Sequence, residues 1–598
     1  MKLNLKFYKG KDEYSDGSIE DKIIELIKKY PNDYEKAFLE DSSWPVFYHL
    51  SEVRKNSISW YPFKDDSSIL EVGGGMGALT SELCKKCNKV TTVELSKKRA
   101  TAILERNKNA ENLEIIVGNF KDIILSDKYD YILLNGVLEY GALYMDSDNP
   151  YEDFINKLKE NLKPNGKILI AIENRFGIKY WCGSNEDHTG KMYDGINGYL
   201  DNAAIRTFSK HELEALATKC GMNINFYYMF PDYKFPKIIY TDKSLDKNIY
   251  SKYIPYYSSN MNLLIDEERV YKDIFDNKVI PFFANSYFIE LSYEKNDIEI
   301  EYVKYNNEFR KSAFDIFTYL KDGKFYKKCG SELSKSQVKN IYDIYKLVNS
   351  CDIDVVETFY EDSQVYSLTA NGENLINLMK DEYQNGNVDM IIDIYDKIYD
   401  IIKKIGEPIE LPTDNIFTKY GVLVSDEYLQ SMEFYSKGLI DAIPSNFIVV
   451  DDNYVMIDQE WVEDNVPIQY IMYRAITDFI KTIDKDSYNL KEKLYEKYNI
   501  NEKIFNELNK NFLDNIKNDS FELYYDYYLN HKFVKNPNNI FNNASDKDLN
   551  KMFDEINRLN NLISEISKKN QHLSSELSNI YNSKSWKLID KLRIKKKN

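Results

Sequence analysis

The chain has no apolar run of membrane-spanning length, no cysteine framework, no internal repeat and no excess of positive charge. Each absence excludes a class of protein. A spanning helix needs about 20 predominantly apolar residues, and the opening stretch "MKLNLKFYKGKDEYSDG" has no apolar h-region. The expected location is therefore the cytoplasm. The six cysteines lack the spacing of a disulfide scaffold, which fits a reducing compartment. Cys84 and Cys87 form a single C-x-x-C with no second pair and no nearby histidine, so packing is favoured over metal or redox chemistry. A formal net charge of -17 argues against a general nucleic-acid binder, whose phosphate contacts need a basic surface.

What is present is a globular composition, 43% hydrophobic and 29% charged, spread over 598 residues. That length exceeds one core and implies about three or four domains. Residues 1–295 read as an α/β unit, with short apolar runs such as "KVTTVEL", "YDYILLNGV" and "GKILIAIEN" between helical patterns. Such alternation predicts a parallel sheet with its ligand crevice at the carboxyl ends of the strands. Across 296–535 the texture changes to short strands followed by long helical stretches, which predicts a second, α+β domain. Residues 548–582 carry Met552, Ile556, Leu559, Ile563, Ile566, Asn570, Leu573, Leu577 and Ile580 at alternating steps of four and three. This heptad seam predicts a coiled coil joining two or three copies, with Asn570 fixing register. The segment 583–598, "KSWKLIDKLRIKKKN" from residue 584, is a basic amphipathic tail suited to an anionic membrane surface.

The most informative stretch is "ILEVGGGMGAL" at 69–79, where a strand-like run meets four glycines in five positions. Glycine there permits a tight turn and lets a ligand approach the backbone. Gly73, Gly75 and Ala78 fit the dinucleotide pattern G-x-G-x-x-G/A, with Glu94 placed to hold a ribose hydroxyl, so an NAD-dependent sugar-modifying enzyme is one reading. The other spelling, E-x-G-x-G-x-G over Glu71, Gly73, Gly75 and Gly77, resembles motif I of class I S-adenosylmethionine (SAM) methyltransferases, a Rossmann-like α/β fold. The ordered set that follows favours SAM. By that resemblance Glu94 holds the ribose, Asn119 and Phe120 read the adenine, and Asn135, Gly136, Val137, Leu138, Glu139 and Tyr140 lie beside the methionine and the transferable methyl.

Further resemblance lies in "WPVFYHLSEVRKN", "IENRFGIKYWCGSNEDHTGKMYDGINGY" and "FYYMFPDYKFP". These are similar to bacterial methyltransferases that modify surface glycans, which implies a glycan or sugar-phosphate acceptor. His188, flanked by Glu186 and Asp187, is the candidate proton acceptor, or else it orders its loop. His49 reads as a packed histidine at a lid.

In the second domain, "IDAIPSNFIVVDDNYVMIDQEW" at 440–461 resembles kinase catalytic loops. The resemblance implies Asp441 as catalytic base, Asn446 and Asp458 as Mg²⁺ ligands, and ATP as a second cofactor, with a phosphate-binding lysine at Lys327 or, by preference, Lys328. No glycine-rich loop precedes that lysine, and Leu439 and Ile440 replace the usual His or Arg before the aspartate. A pseudokinase is thus the alternative. Methyltransferase, kinase-like domain, coiled coil and basic tail is also the layout of bifunctional chain terminators of bacterial polymannose O-antigens, which implies a homo-oligomer at the inner face of the membrane. From a different class, the same layout describes a glycan-assembly scaffold.

Overall fold

The computed structural model describes residues 2–12, 14–31, 33–145, 147–200, 204–258, 261–483, 488–527 and 532–534, with scattered helical positions between 555 and 576. Met1–Met261 and Asp266–Phe533 form one compact unit. Fourteen of its strands make a single sheet. In chain order they are β1 (Lys2–Asn4), β2 (Ser68–Val72), β3 (Lys89–Glu94), β4 (Leu113–Val117), β5 (Tyr129–Asn135), β6 (Leu162–Glu173), β7 (Asn223–Phe230), β8 (Ile238–Tyr240), β9 (Ser286–Ser292), β10 (Tyr302–Lys304), β11 (Ile316–Lys321), β12 (Lys324–Cys329), β13 (Thr358–Glu361) and β14 (Gln364–Leu368). Their spatial order is β1-β4-β3-β2-β5-β6-β9-β7-β8-β10-β11-β12-β14-β13.

The pairs from β1 to β6 are all parallel, as the βα alternation predicts. Both faces of these strands are buried, so successive residues alternate between two cores. Leu70, Val72, Ile132, Leu134, Ile168 and Ile170 face one cluster, and Ile69, Val90, Ile115, Val117, Leu133 and Leu169 the other. That is why the strands read as continuous apolar runs rather than as polar/apolar alternation.

Beyond β6 the sheet is no longer parallel. β9 runs antiparallel to both β6 and β7. The reason is where its connection starts and ends: the Asn285 amide donates to the carbonyl of Pro231 at 2.9 Å, so segment 231–285 leaves and re-enters at one edge. A strand entered from that edge must run back. From β8 onward every neighbour is antiparallel, and the sheet passes without a break from the methyltransferase-like strands into the second half of the chain.

Four helices position the loops that matter here: α1 (Ile19–Lys29), α2 (Trp44–Leu50), α3 (Thr80–Lys86) and α4 (Lys97–Arg106). Ser96 caps α4, its hydroxyl accepting from the Arg99 N–H at 3.3 Å. In the second half, α5 (Lys335–Ser350) packs on β13 and β14, and a helical lobe containing α6 (Ile468–Ile480) has its own core of Ile391, Ile398, Leu439, Tyr470, Ile476 and Phe505. Aromatic rings join segments far apart in the chain. Phe47 of α2 lies 4.4 Å from Phe235 and 4.7 Å from Tyr527, the latter pair parallel within 6°.

Of the heptad seam, Leu559, Ile563, Ile566, Asn570 and Leu573 are described, all helical and exposed. Met552, Ile556, Leu577, Ile580 and the tail 583–598 lie outside the described residues. No helix among the described residues is long and apolar enough to cross a membrane.

At the junction of the two halves, Lys237 and Glu308 form a buried ion pair at 2.7 Å. Glu308→Leu removes the carboxylate paired with a buried ammonium, and is expected to cost about 3 kcal/mol or more in denaturant unfolding. Asp276→Ala, which breaks the exposed Lys272 pair, is expected to cost under about 1 kcal/mol. Equal effects would show that the junction pair has no special weight.

Candidate cofactor and active site

β2 delivers Glu71 and Val72 to the loop 73–77, and β3 delivers Val93 and Glu94 beside it. The Gly73 and Gly74 N–H groups both donate to the Val93 carbonyl, at 2.8 and 3.2 Å. The glycines serve different needs. A Cβ on Gly73 would stand 2.6 Å from Val137 Cγ2, and one on Gly74 would stand 2.4 Å from Thr92 Oγ1 and 2.9 Å from Ile103 Cδ1. Those two glycines let the loop pack on the protein itself. Only Gly75, at φ 55°, points its missing side chain into open space. It is the position where bare backbone faces the open cavity.

Glu71 is buried, and its Oε2 accepts from Thr80 Oγ1 at 2.6 Å and Thr92 Oγ1 at 2.8 Å. It braces the start of α3 against β3. Glu94 accepts from the Gly75 N–H at 2.7 Å and the Ser96 N–H at 2.9 Å. Burial pushes its pKa up to about 7, against the two N–H bonds and Arg99, which favour the charged form.

These groups line a cavity of about 610 Å³ that continues past Asn119 and Phe120 to Asn135, Gly136, Tyr140, Asp187, His188, Tyr233 and Lys234. Asn119 caps the turn that follows it, accepting from the Lys121 N–H at 3.1 Å, and Phe120 meets Phe154 edge-on. Asn135 Oδ1 accepts from Ser57 Oγ at 2.8 Å. Gly136 is required because a Cβ there would stand 2.3 Å from the Tyr233 hydroxyl. Glu139 does not line the cavity. Its side chain is fully buried beneath it, in a cluster with Glu173 and His188.

His188 is not the neutral imidazole the sequence suggests. Burial works against its charged form, but the Glu173 carboxylate, 3.7 Å from Nε2, and Glu139 raise the pKa to about 9. At neutral pH it holds its proton. Its loop is ordered by Glu186, whose Oε2 accepts the N–H groups of His188 and Thr189 at 2.8 and 2.6 Å. His49 is packed and neutral, its pKa pushed down to about 3 by burial and by Arg99, Arg54 and Arg106.

Trp44 and Tyr48, from the stretch "WPVFYHLSEVRKN", also line the cavity, and with them Tyr14, Asp16 and Arg99, which sequence reasoning missed. Of these three, Arg99 alone has a readable signal, a cation in the first turn of the helix after Glu94.

The second half assembles Asp441, Asn446 and Asp458 as their spacing suggests, with two differences. Lys327, not Lys328, occupies the site. Lys327 contacts Asp458 and lies 2.7 Å from Glu460, which also binds Arg310 at 2.8 Å. Lys328 is the next residue on β12 and so faces outward, exposed. Asp441 is buried and already occupied: its Oδ2 accepts the N–H groups of Glu460 and Trp461, both at 2.9 Å. Burial raises its pKa to about 7, with Arg474 opposing. The Asn446 amide donates to the carbonyls of Asp441 at 3.0 Å and Asp458 at 3.3 Å. Asp458 sits in the left-handed region at φ 62°, a backbone conformation that is uncommon away from glycine.

Residues 70–170 match the family described as "Methyltransferase domain". The chain is 28% identical over 149 residues to malonyl-[acyl-carrier protein] O-methyltransferase of Priestia megaterium, covering 25% of this chain and 51% of that protein. Ribosomal RNA small subunit methyltransferase A of Mycoplasma capricolum subsp. capricolum is 26% identical over 263 residues, 43% of this chain and 85% of its own. The chain thus spans about half the length of the Priestia protein. Among solved structures, N-methyltransferase NodS of Bradyrhizobium japonicum shows 18% identity over 25% of this chain and 72% of its own, at a TM-score of 0.19, which carries no argument.

The cradle fits SAM: an open face at Gly75, a strand-end carboxylate at Glu94, and Asn119 and Phe120 further along the same cavity. If Glu94 holds the ribose, its ionised form would accept the two hydroxyls and its protonated form would compete with them. SAM affinity measured by calorimetry should therefore fall as pH is lowered from 8 to 6, through the carboxyl's pKa of about 7. In Glu94→Gln that dependence should vanish. A pH profile identical in the variant would remove Glu94 from ribose binding.

Proposed function

We infer that the chain, whose residues 70–170 match a methyltransferase domain family, transfers a methyl group from SAM to a glycan or glycan-linked acceptor. The observation that carries this reading is the continuity of one cavity, from Gly75 and Glu94 at the cofactor end to His188, Asp187 and Lys234 at the far end. SAM supplies a methyl group on a positively charged sulfur. The chain's own residues position it: Glu94 takes the ribose, the open Gly75 backbone admits the cofactor, and Asn135 and Gly136 flank the methionine end. Positioning is a large part of catalysing an in-line displacement.

Support for a carbohydrate acceptor comes from the rings of Trp44, Tyr48, Tyr140 and Tyr233 beside Asp187 and Lys234 on the cavity wall. Flat apolar faces next to charged hydrogen-bonding groups suit a sugar. An RNA acceptor, as named for the Mycoplasma protein, is disfavoured by the net charge of -17.

A second reading, phosphoryl transfer or nucleotide binding in the other half, is supported by the meeting of Lys327, Asn446, Asp458 and Glu460. Assembly of copies through the heptads, and membrane contact by the basic tail, complete the proposal. The exposed apolar side chains of Leu559, Ile563, Ile566 and Leu573 support the first of these.

Calorimetry on the full chain tests both halves. SAM and S-adenosylhomocysteine should bind the native protein, and Gly75→Leu should abolish binding; its side chain has room, but φ 55° strains it, so the unfolding midpoint should fall while the chain still folds. No binding to the native chain, or undiminished binding to Gly75→Leu, overturns the methyltransferase reading. ATP with Mg²⁺ should bind the native chain and Lys328→Ala but not Lys327→Ala or Asp458→Ala. Loss in Lys328→Ala with retention in Lys327→Ala would reverse the lysine assignment.

A further inference from the structure

We propose that Glu139, Glu173 and His188 form a binding site for one divalent transition-metal cation beneath the acceptor end of the cavity. The three residues come from separate elements: the turn after β5, the carboxyl end of β6, and the loop 182–190. One ligand atom from each lies within 4.8 Å of the others. Glu173 Oε2 and His188 Nε2 face each other at 3.7 Å, beyond hydrogen-bond reach. Both Glu139 oxygens, Glu173 Oε2 and His188 Nε2 are buried from water and make no hydrogen bond. Glu139 and Glu173 are both 0% exposed. A buried carboxylate with neither oxygen satisfied is rare in a folded protein, and its convergence on two further orphaned atoms points to a missing ligand.

The charge arrangement points the same way. Lys234 contacts Glu173 through the other oxygen, Oε1, and reaches Asp187 at 2.7 Å. Lys179 lies 2.7 Å from Asp187 and 3.7 Å from Asp232. Three carboxylates, Glu173, Asp187 and Asp232, thus share two ammonium groups, whereas Glu139 meets neither of them. Lys234 lies on the Oε1 side of Glu173 and leaves the Oε2 side, where Glu139 and His188 converge, to the ion.

The donor set selects the class of ion. Two carboxylates and one imidazole suit Mn²⁺, Fe²⁺ or Zn²⁺, whereas Ca²⁺ takes six to eight oxygens. His188 is held for this task. Glu186 fixes its backbone, and the Tyr140 ring stands edge-on to the imidazole at 5.6 Å. His188 also lines the cavity, so an ion bound to it would lie beside the acceptor end. The ion's role, which rests on the methyl-transfer reading, is to bind and polarise an acceptor oxygen there.

The experiment titrates Mn²⁺ into EDTA-stripped full-length chain, followed by electron paramagnetic resonance. It is repeated for Glu139→Gln and His188→Gln, with SAM calorimetry and thermal unfolding run on each sample. We expect one Mn²⁺ per native chain, a rise in unfolding midpoint on adding it, and affinity lower by about 10- to 100-fold or more in both variants. SAM affinity should stay native in both. Absence of stoichiometric Mn²⁺ binding by the native chain, or equal binding by both variants, overturns the site. Should Glu139→Gln fail to fold, the native stoichiometry and His188→Gln decide alone. Mn²⁺ binding without SAM binding would overturn the methyltransferase reading while leaving the ion site standing.

Discussion

The register of β2 against β3 is the constraint on which the cofactor end depends. Pairing Val72 with Val93 brings the Val93 carbonyl under Gly73 and Gly74 and the Glu94 carboxylate under Gly75. A slip of one residue would turn the slipped strand's side chains to the opposite face and move the acceptors away from the loop. The register is held because Leu70 and Val72 must face one core and Ile69 the other. Hydrophobic burial on two faces therefore fixes the position of a polar loop.

The same sheet carries that order outward. β8 and β10 pair without a break, so the strand bearing Lys327 belongs to the sheet that bears Glu94. Around the junction lie the buried Lys237–Glu308 pair and, further off, the rings of Phe47, Phe235 and Tyr527. The change in sequence texture near residue 296 falls inside this continuous sheet. Backbone hydrogen bonding does not depend on the side-chain pattern that changes there.

Buried charge dominates the far end of the cavity. Glu173 is kept ionised against its burial by Lys234 and His188, while burial and Glu173 drive Glu139 well above the ordinary carboxyl range. Two carboxylates so close cannot both be ionised cheaply without cations. That opposition makes the region sensitive to what binds there.

The sequence by itself determined the βα order, the need for glycine at 73–77, the strand-end Glu94 and the approach of Asn446 to Asp458. All of these follow from local periodicity or short spacing. Tertiary structure decided the rest. Which glycine faces ligand depends on Val137, Thr92 and Ile103, contributed by other elements. Lys327 and Lys328 are equivalent in a strand until one face meets Asp458. The charge state of His188 depends on Glu139 and Glu173, whose distance from it in the chain hides their contact in space. Local rules reveal where the backbone must bend, but solvation and charge at a buried atom are set by residues that only folding brings near.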